Sequence, residues 1–399
     1  MKTSIKAIVI AISLATTMGM AQAANNAPSN QVPLNIDTWQ QQRAEGLGQL
    51  NTITPNVMAV NAQDVFKVDH QKRDYDLHEI PSVARIMNHP AVGSIVIMNK
   101  DGDVLLEHYR DADRNTTFSN QSSTKSIGYV LLSKALKDGK VSMDDKVEKY
   151  IPNIGTGFKG RTVADVAAMA VNHNVAELAA YTGDKEALIM FDRDERVIGL
   201  QRNDKRETLR DFIPAIQAAG ETNQWDGEIA NYATINTSVL GLILESATGI
   251  PLSQQVRNLM HDIEGENTVY MGTDFDGTPV IGASMMSSTI DFARYGRLLI
   301  ADVEQSKQDI IDSQEAGEVV PADLTAVEGR YYKSAIMNEY GLGHSGWGGQ
   351  LVWADPESGT IVAINSRMRS ELPAPYDHFV KLYTAAIDVV KDQRAKQEK

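Results

Sequence analysis

The chain has 399 residues and no cysteine, and 42% of its residues are hydrophobic while 23% are charged. This balance is ordinary for a globular protein and excludes wholesale disorder, a collagen-like repeat and a multi-span membrane protein. Without cysteine there is no disulfide framework, no cysteine-ligated zinc or iron–sulfur site and no thiol nucleophile. The formal charge of −14 would repel a phosphate backbone, so we expect no nucleic-acid partner.

The first 23 residues have the three parts of a secretory signal peptide. Lys2 and Lys6 precede an uncharged, mostly apolar run over residues 7–20, and residues 21–23 form an A-x-A exit. The run is shorter than the roughly 20 residues that span a bilayer. We therefore expect a periplasmic or secreted protein, cleaved near Ala23 and without a stable membrane anchor. The alternative is an N-terminal core helix.

The next elements are a lead-in, a hairpin and a buried helix. Residues 24–79 have weak periodicity and are expected to wrap the body of the protein. Apolar runs at residues 94–98 and 104–109 flank a glycine-containing turn, which predicts a β-hairpin. Residues 122–137 are apolar on most faces and stop at Asp138-Gly139, which predicts a buried helix with a glycine at its C-terminus.

Helical stretches and turns alternate from residue 140 to about residue 320, and Thr162 marks one helix start. Two strands at residues 349–354 and 360–365 follow, and then an amphipathic helix over residues 376–391. Strands near both ends with helices between them imply an α/β body whose sheet is completed by the C-terminus.

We therefore predict two domains after the lead-in. The α/β domain comprises residues 80–136 and 325–399, and the mainly helical domain comprises residues 137–324.

Ser122 and Lys125 form the only Ser-x-x-Lys pair in the chain. At the start of a helix, residues i and i+3 share a face, so the lysine amine can reach the serine hydroxyl. Burial disfavours the charged form of a lysine, and a neutral lysine can accept the serine proton. The alternative is that Ser122 only caps the helix and Lys125 is solvated.

Two further segments could take part in catalysis. Tyr232 lies between a polar turn and a predicted helix at residues 238–245, where it could relay a proton; the alternative is a half-buried tyrosine with a hydrogen-bonded tip. Residues 344–349 precede a strand, and an exposed N–H there could complete an oxyanion hole; the alternative is a glycine-rich turn. The eight histidines lack metal-ligand spacing, so we assign neither a metal nor a cofactor.

Ser345 is a competing nucleophile. The sequence Gly343-His344-Ser345-Gly346 looks like a nucleophile elbow, but Trp347 stands where that motif needs glycine, and the serine leads into a strand rather than a helix. An α/β-hydrolase that uses Ser345 is therefore the weaker alternative.

In order and spacing, these motifs resemble the serine β-lactamase and penicillin-recognising hydrolase superfamily. The likeness is to its Ser-Lys-Tyr branch of class C β-lactamases and related esterases, and it is greatest to the 6-aminohexanoate-dimer hydrolases. The similar segments are residues 118–126, 144–152, 162–166, 232–241, 282–296 and 346–350. The resemblance implies a β-lactamase/transpeptidase-like α/β fold, in which helices flank an antiparallel sheet and an all-helical domain is inserted.

The resemblance also implies the roles of the site residues. Ser122 would be the acylated nucleophile and Lys125 its general base. Tyr232 would shuttle the proton to the leaving group and help to activate the deacylating water. The N–H groups of Ser122 and Trp347 would form the oxyanion hole. The candidates for substrate binding are His344, Ser345, Gly346 and Trp225.

Two departures from the family pattern bear on the substrate. Thr234 replaces the asparagine of a Tyr-x-Asn motif, which removes an amide that could hold substrate. His344 begins the segment that replaces Lys-Thr-Gly, so a permanent cation for a β-lactam carboxylate is missing. An ungapped match to class C enzymes would instead put residues 341–343 at this motif. We expect a small-molecule linear amide or ester as substrate; the alternative is a non-catalytic binding protein on the same fold. The sequence leaves the oligomeric state open.

Overall fold

A computed structural model describes residues 56–399 apart from residues 111, 178–179, 181–184, 200–202, 221–226, 228, 321–327 and 368–374. The predicted signal peptide at residues 1–23 lies outside the described residues, as does the lead-in up to residue 55. The predicted division into two domains stays a prediction.

Antiparallel strands form two sheets. Over the described ranges the strands are β1 (Asn56–Val60), β2 (Val92–Asn99), β3 (Val104–Tyr109), β4 (Thr117–Ser119), β5 (Val269–Thr273), β6 (Met285–Ser288), β7 (Glu318–Val319), β8 (Arg330–Tyr332), β9 (Ala335–Asn338), β10 (Gly341–Gly346), β11 (Gln350–Ala354) and β12 (Thr360–Ser366). The hairpin of β2 and β3 and the strands β11 and β12 confirm the corresponding predictions.

The large sheet joins segments from the two ends of the described chain. Its strand order is β3-β2-β12-β11-β10-β9-β8-β7, and β2 pairs with β12 so that Ile95 lies opposite Ile364. Both strands are buried along nearly their whole length. This agrees with their continuous apolar sequence, because a strand that is covered on both faces needs no alternation with polar residues. The predicted completion of the sheet by the C-terminus is confirmed.

Helices pack against the large sheet and against one another. Their bounds, where the structure describes them, are α1 (Pro81–Met87), α2 (Ser126–Lys137), α3 (Val163–Ala167), α4 (Lys185–Val197), α5 (Leu209–Phe212), α6 (Thr234–Thr248), α7 (Leu252–Asp262), α8 (Thr289–Leu299), α9 (Val303–Ala316) and α10 (Pro375–Gln397). The predicted start of a helix at Thr162 is confirmed, since Thr162 and Asp165 form a reciprocal capping box at α3.

The two faces of the large sheet are covered by different helices. α10 and α1 pack together, and α10 contacts β11 and β12, whereas α8 contacts β2, β11 and β12. Successive residues of a strand point to opposite faces. Accordingly, Ile95 and Ile97 join the apolar cluster that contains residues of α10, while Val96 and Met98 join the larger cluster that contains residues of α8.

α6 is the central helix of the part of the protein that lies outside the large sheet. Its residues 234–244 are buried on all sides, and α2, α3 and α7 pack against it, as expected for a helix that is apolar all round. No single described helix is long and apolar enough to cross a membrane. The pair α6 and α7 passes that length and composition test only together, with a bend of 98° between the two helices.

The second sheet is small and is assembled from distant segments. Its strand order is β1-β5-β6-β4, and all of its pairings are antiparallel. β4 ends at Ser119 and leads directly into the turn that contains Ser122. The N–H of Asn120, the first residue after β4, donates to the carbonyl oxygen of Met285 at 2.9 Å. This sheet therefore fixes the chain at the entrance to the candidate site.

Candidate active site

Ser122 and Lys125 lie on a short 3₁₀ helix, Gln121–Lys125, between β4 and α2. The prediction that Ser122 begins the α-helix itself is wrong, because α2 starts at Ser126. The pair nevertheless shares a face, since a 3₁₀ helix has three residues per turn and aligns residues i and i+3. Lys125 Nζ donates to Ser122 Oγ at 2.9 Å, so the structure brings the predicted pair together.

The backbone immediately before the serine is strained. Gln121 has a φ of +48°, in the left-handed region that non-glycine residues rarely adopt and that costs on the order of 1–3 kcal/mol. Gln121 and Lys125 are buried, whereas Ser122 is partly exposed. The turn therefore presents the serine side chain while its neighbours stay in the interior. Nothing in the sequence signalled this conformation.

Lys125 is held by three neutral acceptors. Its Nζ donates to Ser122 Oγ, Thr234 Oγ1 and the carbonyl oxygen of Gly282, each at 2.9 Å. The side chain is fully buried, and loss of hydration lowers the pKa of Lys125 to about 8. Its amine can therefore be neutral in the range where a general base works. Thr234 and Gly282 are contacts that the sequence did not assign to the site.

Tyr232 lies beside the lysine, just ahead of α6. Lys125 Nζ lies 4.8 Å from the centroid of the Tyr232 ring, and Tyr232 is 7% exposed. On its other side the ring packs against His344, with 6.1 Å between the two centroids. The structure thus brings three of the predicted residues, Lys125, Tyr232 and His344, into one cluster.

His344 is an uncharged member of this cluster. It is buried in β10, and its Nδ1 pairs with the carbonyl oxygen of Ser345, so Nδ1 carries the hydrogen. Burial and the nearby charge of Lys125 lower the pKa of His344 to about 3. Its Nε2 has no hydrogen-bond partner among the described residues, which leaves an acceptor next to Tyr232 and Lys125.

The end of β10 lies against the nucleophile turn. A Cβ atom added at Gly346 would lie 2.3 Å from the carbonyl oxygen of Asn120 and 3.0 Å from the amide nitrogen of Ser123. Only glycine permits this approach of the two backbones. Trp347 follows in the turn that Gly348 and Gly349 form with positive φ values. The sequence predicted a close approach of another backbone at residues 344–349, and the structure has one at Gly346.

Ser345 points away from this cluster. Side chains alternate along β10, so Ser345 and His344 lie on opposite faces, and Ser345 lies beside Tyr383 of α10. β10 continues through a hairpin into antiparallel β11 rather than into a helix. The alternative of a nucleophile elbow at Ser345 is therefore wrong. Trp225, the last predicted substrate contact, lies outside the described residues.

A buried amide network fixes the turn to both sheets. Asn120 Nδ2 donates to Ser287 Oγ at 2.9 Å, and Asn365 Nδ2 donates to Asn120 Oδ1 at 3.3 Å and to Gln350 Oε1 at 2.7 Å. These side chains come from β6, β12 and β11, so the turn before Ser122 is held from three strands. In the part of the chain that the structure describes, no cluster of histidine and carboxylate side chains could hold a metal ion.

Comparisons with known proteins agree on one family. The family model described as Beta-lactamase matches residues 78–378. The chain is similar to "Protein flp" of Staphylococcus aureus (strain MW2), with 21% identity over 208 residues that cover 49% of this chain and 39% of that protein. It is similar to "Putative D-alanyl-D-alanine carboxypeptidase" of Salmonella heidelberg (strain SL476), with 25% identity over 232 residues that cover 55% and 50% of the two chains. The chain thus matches half the length of these curated relatives or less.

Solved structures share the architecture over a larger part of the chain. "Putative 6-aminohexanoate-dimer hydrolase from Bacillus anthracis" superposes with a TM-score of 0.70 at 15% identity, over 92% of this chain and 98% of that one. A D-stereospecific amidohydrolase from Streptomyces sp. superposes with a TM-score of 0.54 at 15% identity, over 79% and 98% of the two chains. At these identities the similarity shows a shared fold.

Proposed function

The chain belongs to the Beta-lactamase family, and from that premise we propose that it is an exported serine hydrolase that cleaves a linear amide or ester through an acyl-enzyme on Ser122. The family and the β-lactamase/transpeptidase fold expected from the sequence are confirmed by this membership. Export rests on the N-terminal sequence, and N-terminal sequencing of the mature protein should find a start near residue 24.

The proposal depends most on the pairing of Ser122 with Lys125. A serine hydroxyl is a weak nucleophile until a base takes its proton. Lys125 Nζ lies 2.9 Å from Ser122 Oγ, and its hydrogen-bond partners among the described residues include no carboxylate that would hold it as a fixed ammonium. In the proposed first step the neutral amine accepts the hydroxyl proton while Oγ bonds to the substrate carbonyl carbon.

The other site residues can serve the steps that follow attack by the serine, which are stabilisation of the oxyanion, departure of the leaving group and deacylation. The tetrahedral oxyanion would accept hydrogen bonds from the N–H groups of Ser122 and Trp347, which the approach of β10 to the turn supports. Tyr232 would pass the proton to the leaving amine or alcohol as the carbonyl re-forms. Water would then attack the carbonyl carbon of the ester at Ser122 while the pair of Tyr232 and Lys125 accepts its proton. The bond to Ser122 Oγ would break, the carboxylic acid would leave, and the proton would return to Oγ.

The uncharged His344 supports a linear substrate of small size rather than a β-lactam. Where β-lactamases place a lysine, this site has a buried imidazole that is neutral near pH 7, so a substrate carboxylate would find no fixed cation there. The imidazole Nε2 can instead accept a hydrogen bond from a neutral N–H or O–H. The names of two structural neighbours, an aminohexanoate-dimer hydrolase and an amidohydrolase, also favour an amide.

Covalent labelling tests the proposal. A fluorophosphonate probe should label the wild-type protein and fail to label Ser122→Ala, because the probe reacts with an activated serine. Ser345→Ala is the matched control, since Ser345 faces Tyr383 instead of Lys125, and it should label like wild type. Full labelling of Ser122→Ala would contradict the assignment, and a folded wild-type protein that no acylating probe labels would favour the non-catalytic alternative.

A further inference from the structure

The carboxyl groups that act electrostatically on Lys125 do not form hydrogen bonds with it. Its three hydrogen-bond partners are neutral. Among the residues that the structure describes, the titratable groups that face it are Glu177 from the segment after α3, Asp194 from α4, Tyr232 ahead of α6, and His344 from β10. A lysine in such a position responds to whichever of these groups carries a charge.

Glu177 is joined to the lysine through Thr234. Its side chain is 6% exposed, and its Oε1 accepts the backbone N–H of Thr234. The hydroxyl of the same threonine accepts from Lys125 Nζ at 2.9 Å. Ala233, the N-cap residue immediately before α6, has only a methyl side chain, which cannot cap the helix. The carboxylate of Glu177 does this from a distant part of the chain, where the helix dipole also favours negative charge.

The other titratable neighbours are poorer candidates for a negative charge beside Lys125. Asp194 is fully buried, and neither of its carboxyl oxygens has a hydrogen-bond partner among the described residues. Burial, together with the nearby carboxyl groups of Glu177 and Glu195, raises the pKa of Asp194 well above the usual range, which favours its neutral form. His344 is neutral, as described above. Glu177 is the carboxyl group that a chain of hydrogen bonds through Thr234 connects to Lys125.

We propose that Glu177 is a positioning residue of the acylation site, which orients Thr234 toward Lys125 and whose charge sets the pH above which Lys125 can act as a base. The inference rests on the proposed function and adds a residue to it. An anion nearby favours the ammonium form of a lysine, so Glu177 opposes the effect of burial and keeps the base from becoming too weak.

The test is the pH dependence of fluorophosphonate labelling. Glu177→Gln keeps an oxygen that can accept the Thr234 N–H but removes the charge. The amine of Lys125 then loses its proton more easily, so the midpoint of the labelling rate should move to lower pH by about 1 unit. Asp194→Asn is the matched control, because it changes a buried carboxyl group whose raised pKa favours the neutral form, and its midpoint should stay at the wild-type value.

A third variant keeps the inference testable if Glu177→Gln does not fold. Glu177→Asp retains the charge, so its midpoint should stay near that of wild type, while its maximal labelling rate should fall because the shorter side chain holds Thr234 less well. An unmoved midpoint in folded Glu177→Gln, a shift in Asp194→Asn, or a large shift in Glu177→Asp would overturn the inference alone. Absence of labelling in the wild type would contradict the proposed function, and the inference with it.

Discussion

Lys125 should determine how the rate of acylation depends on pH. Its pKa is lowered to about 8 by burial, and the neutral amine is the reactive form. Below that pH, kcat/KM for an activated ester should fall about tenfold per pH unit, and above it kcat/KM should level off. His344, with a pKa of about 3, adds no step in this range. Initial rates with p-nitrophenyl acetate from about pH 5 to about pH 10 would check this; a flat profile across pH 8 would contradict the role of Lys125.

At the level of residues, the sequence predicted the contacts that depend on local spacing. Ser122 and Lys125 are three positions apart, so any helical turn brings them together. The roles of Thr234, Gly282 and Glu177 beside Lys125 were not predicted, because only the tertiary fold brings these residues close to the lysine. Thr234 was interpreted only as the loss of a substrate-binding amide, whereas its hydroxyl accepts a hydrogen bond from the lysine.

At the level of elements, a buried ion pair fastens the strands next to the site to α9. Lys333, between β8 and β9, donates to Asp309 of α9 at 2.6 Å, with 9% and 0% of the two side chains exposed. The adjacent Ser334 hydroxyl donates to the carbonyl oxygen of Lys125 at 3.0 Å. The ion pair therefore anchors a segment that supports the general base.

Removal of Lys333 should destabilise the protein strongly. Lys333→Met leaves the carboxylate of Asp309 buried without its cation, and breaking a buried pair in this way costs about 3–5 kcal/mol. Lys137→Met is the matched control, because Lys137 pairs with Asp302 at the surface, with 73% and 49% of the side chains exposed, and such pairs contribute little. Urea unfolding would compare the two; equal midpoints for both variants would show that the buried pair is not needed.

The large sheet was predictable from the sequence, and the small sheet was not. Short apolar runs at residues 95–98, 351–354 and 361–364 identify β2, β11 and β12 as buried strands whatever their partners. β4 and β6 have three and four residues and pair across more than 160 positions of sequence. Such short strands carry little periodicity of their own, so only the tertiary structure shows them.

The whole molecule is held together by packing instead of disulfides. Two apolar clusters line the large sheet, and Arg394 near the C-terminus donates to both oxygens of the buried Asp355 at 2.7 and 3.0 Å. The candidate site lies where distant segments meet, because the turn at Ser122, the start of α6 and the end of β10 all contribute side chains or backbone to it. Its activity should therefore depend on the complete fold.

The most direct test of the central claim is to find the acyl group on the protein. Incubation with activated esters or aminohexanoate oligomers, a rapid acid quench and intact-mass analysis should reveal a covalent adduct, which peptide mapping should place on the segment Gln121–Lys125. In Ser122→Ala the adduct should disappear while the fold remains. An adduct located at another residue, or one that persists in Ser122→Ala, would contradict the account.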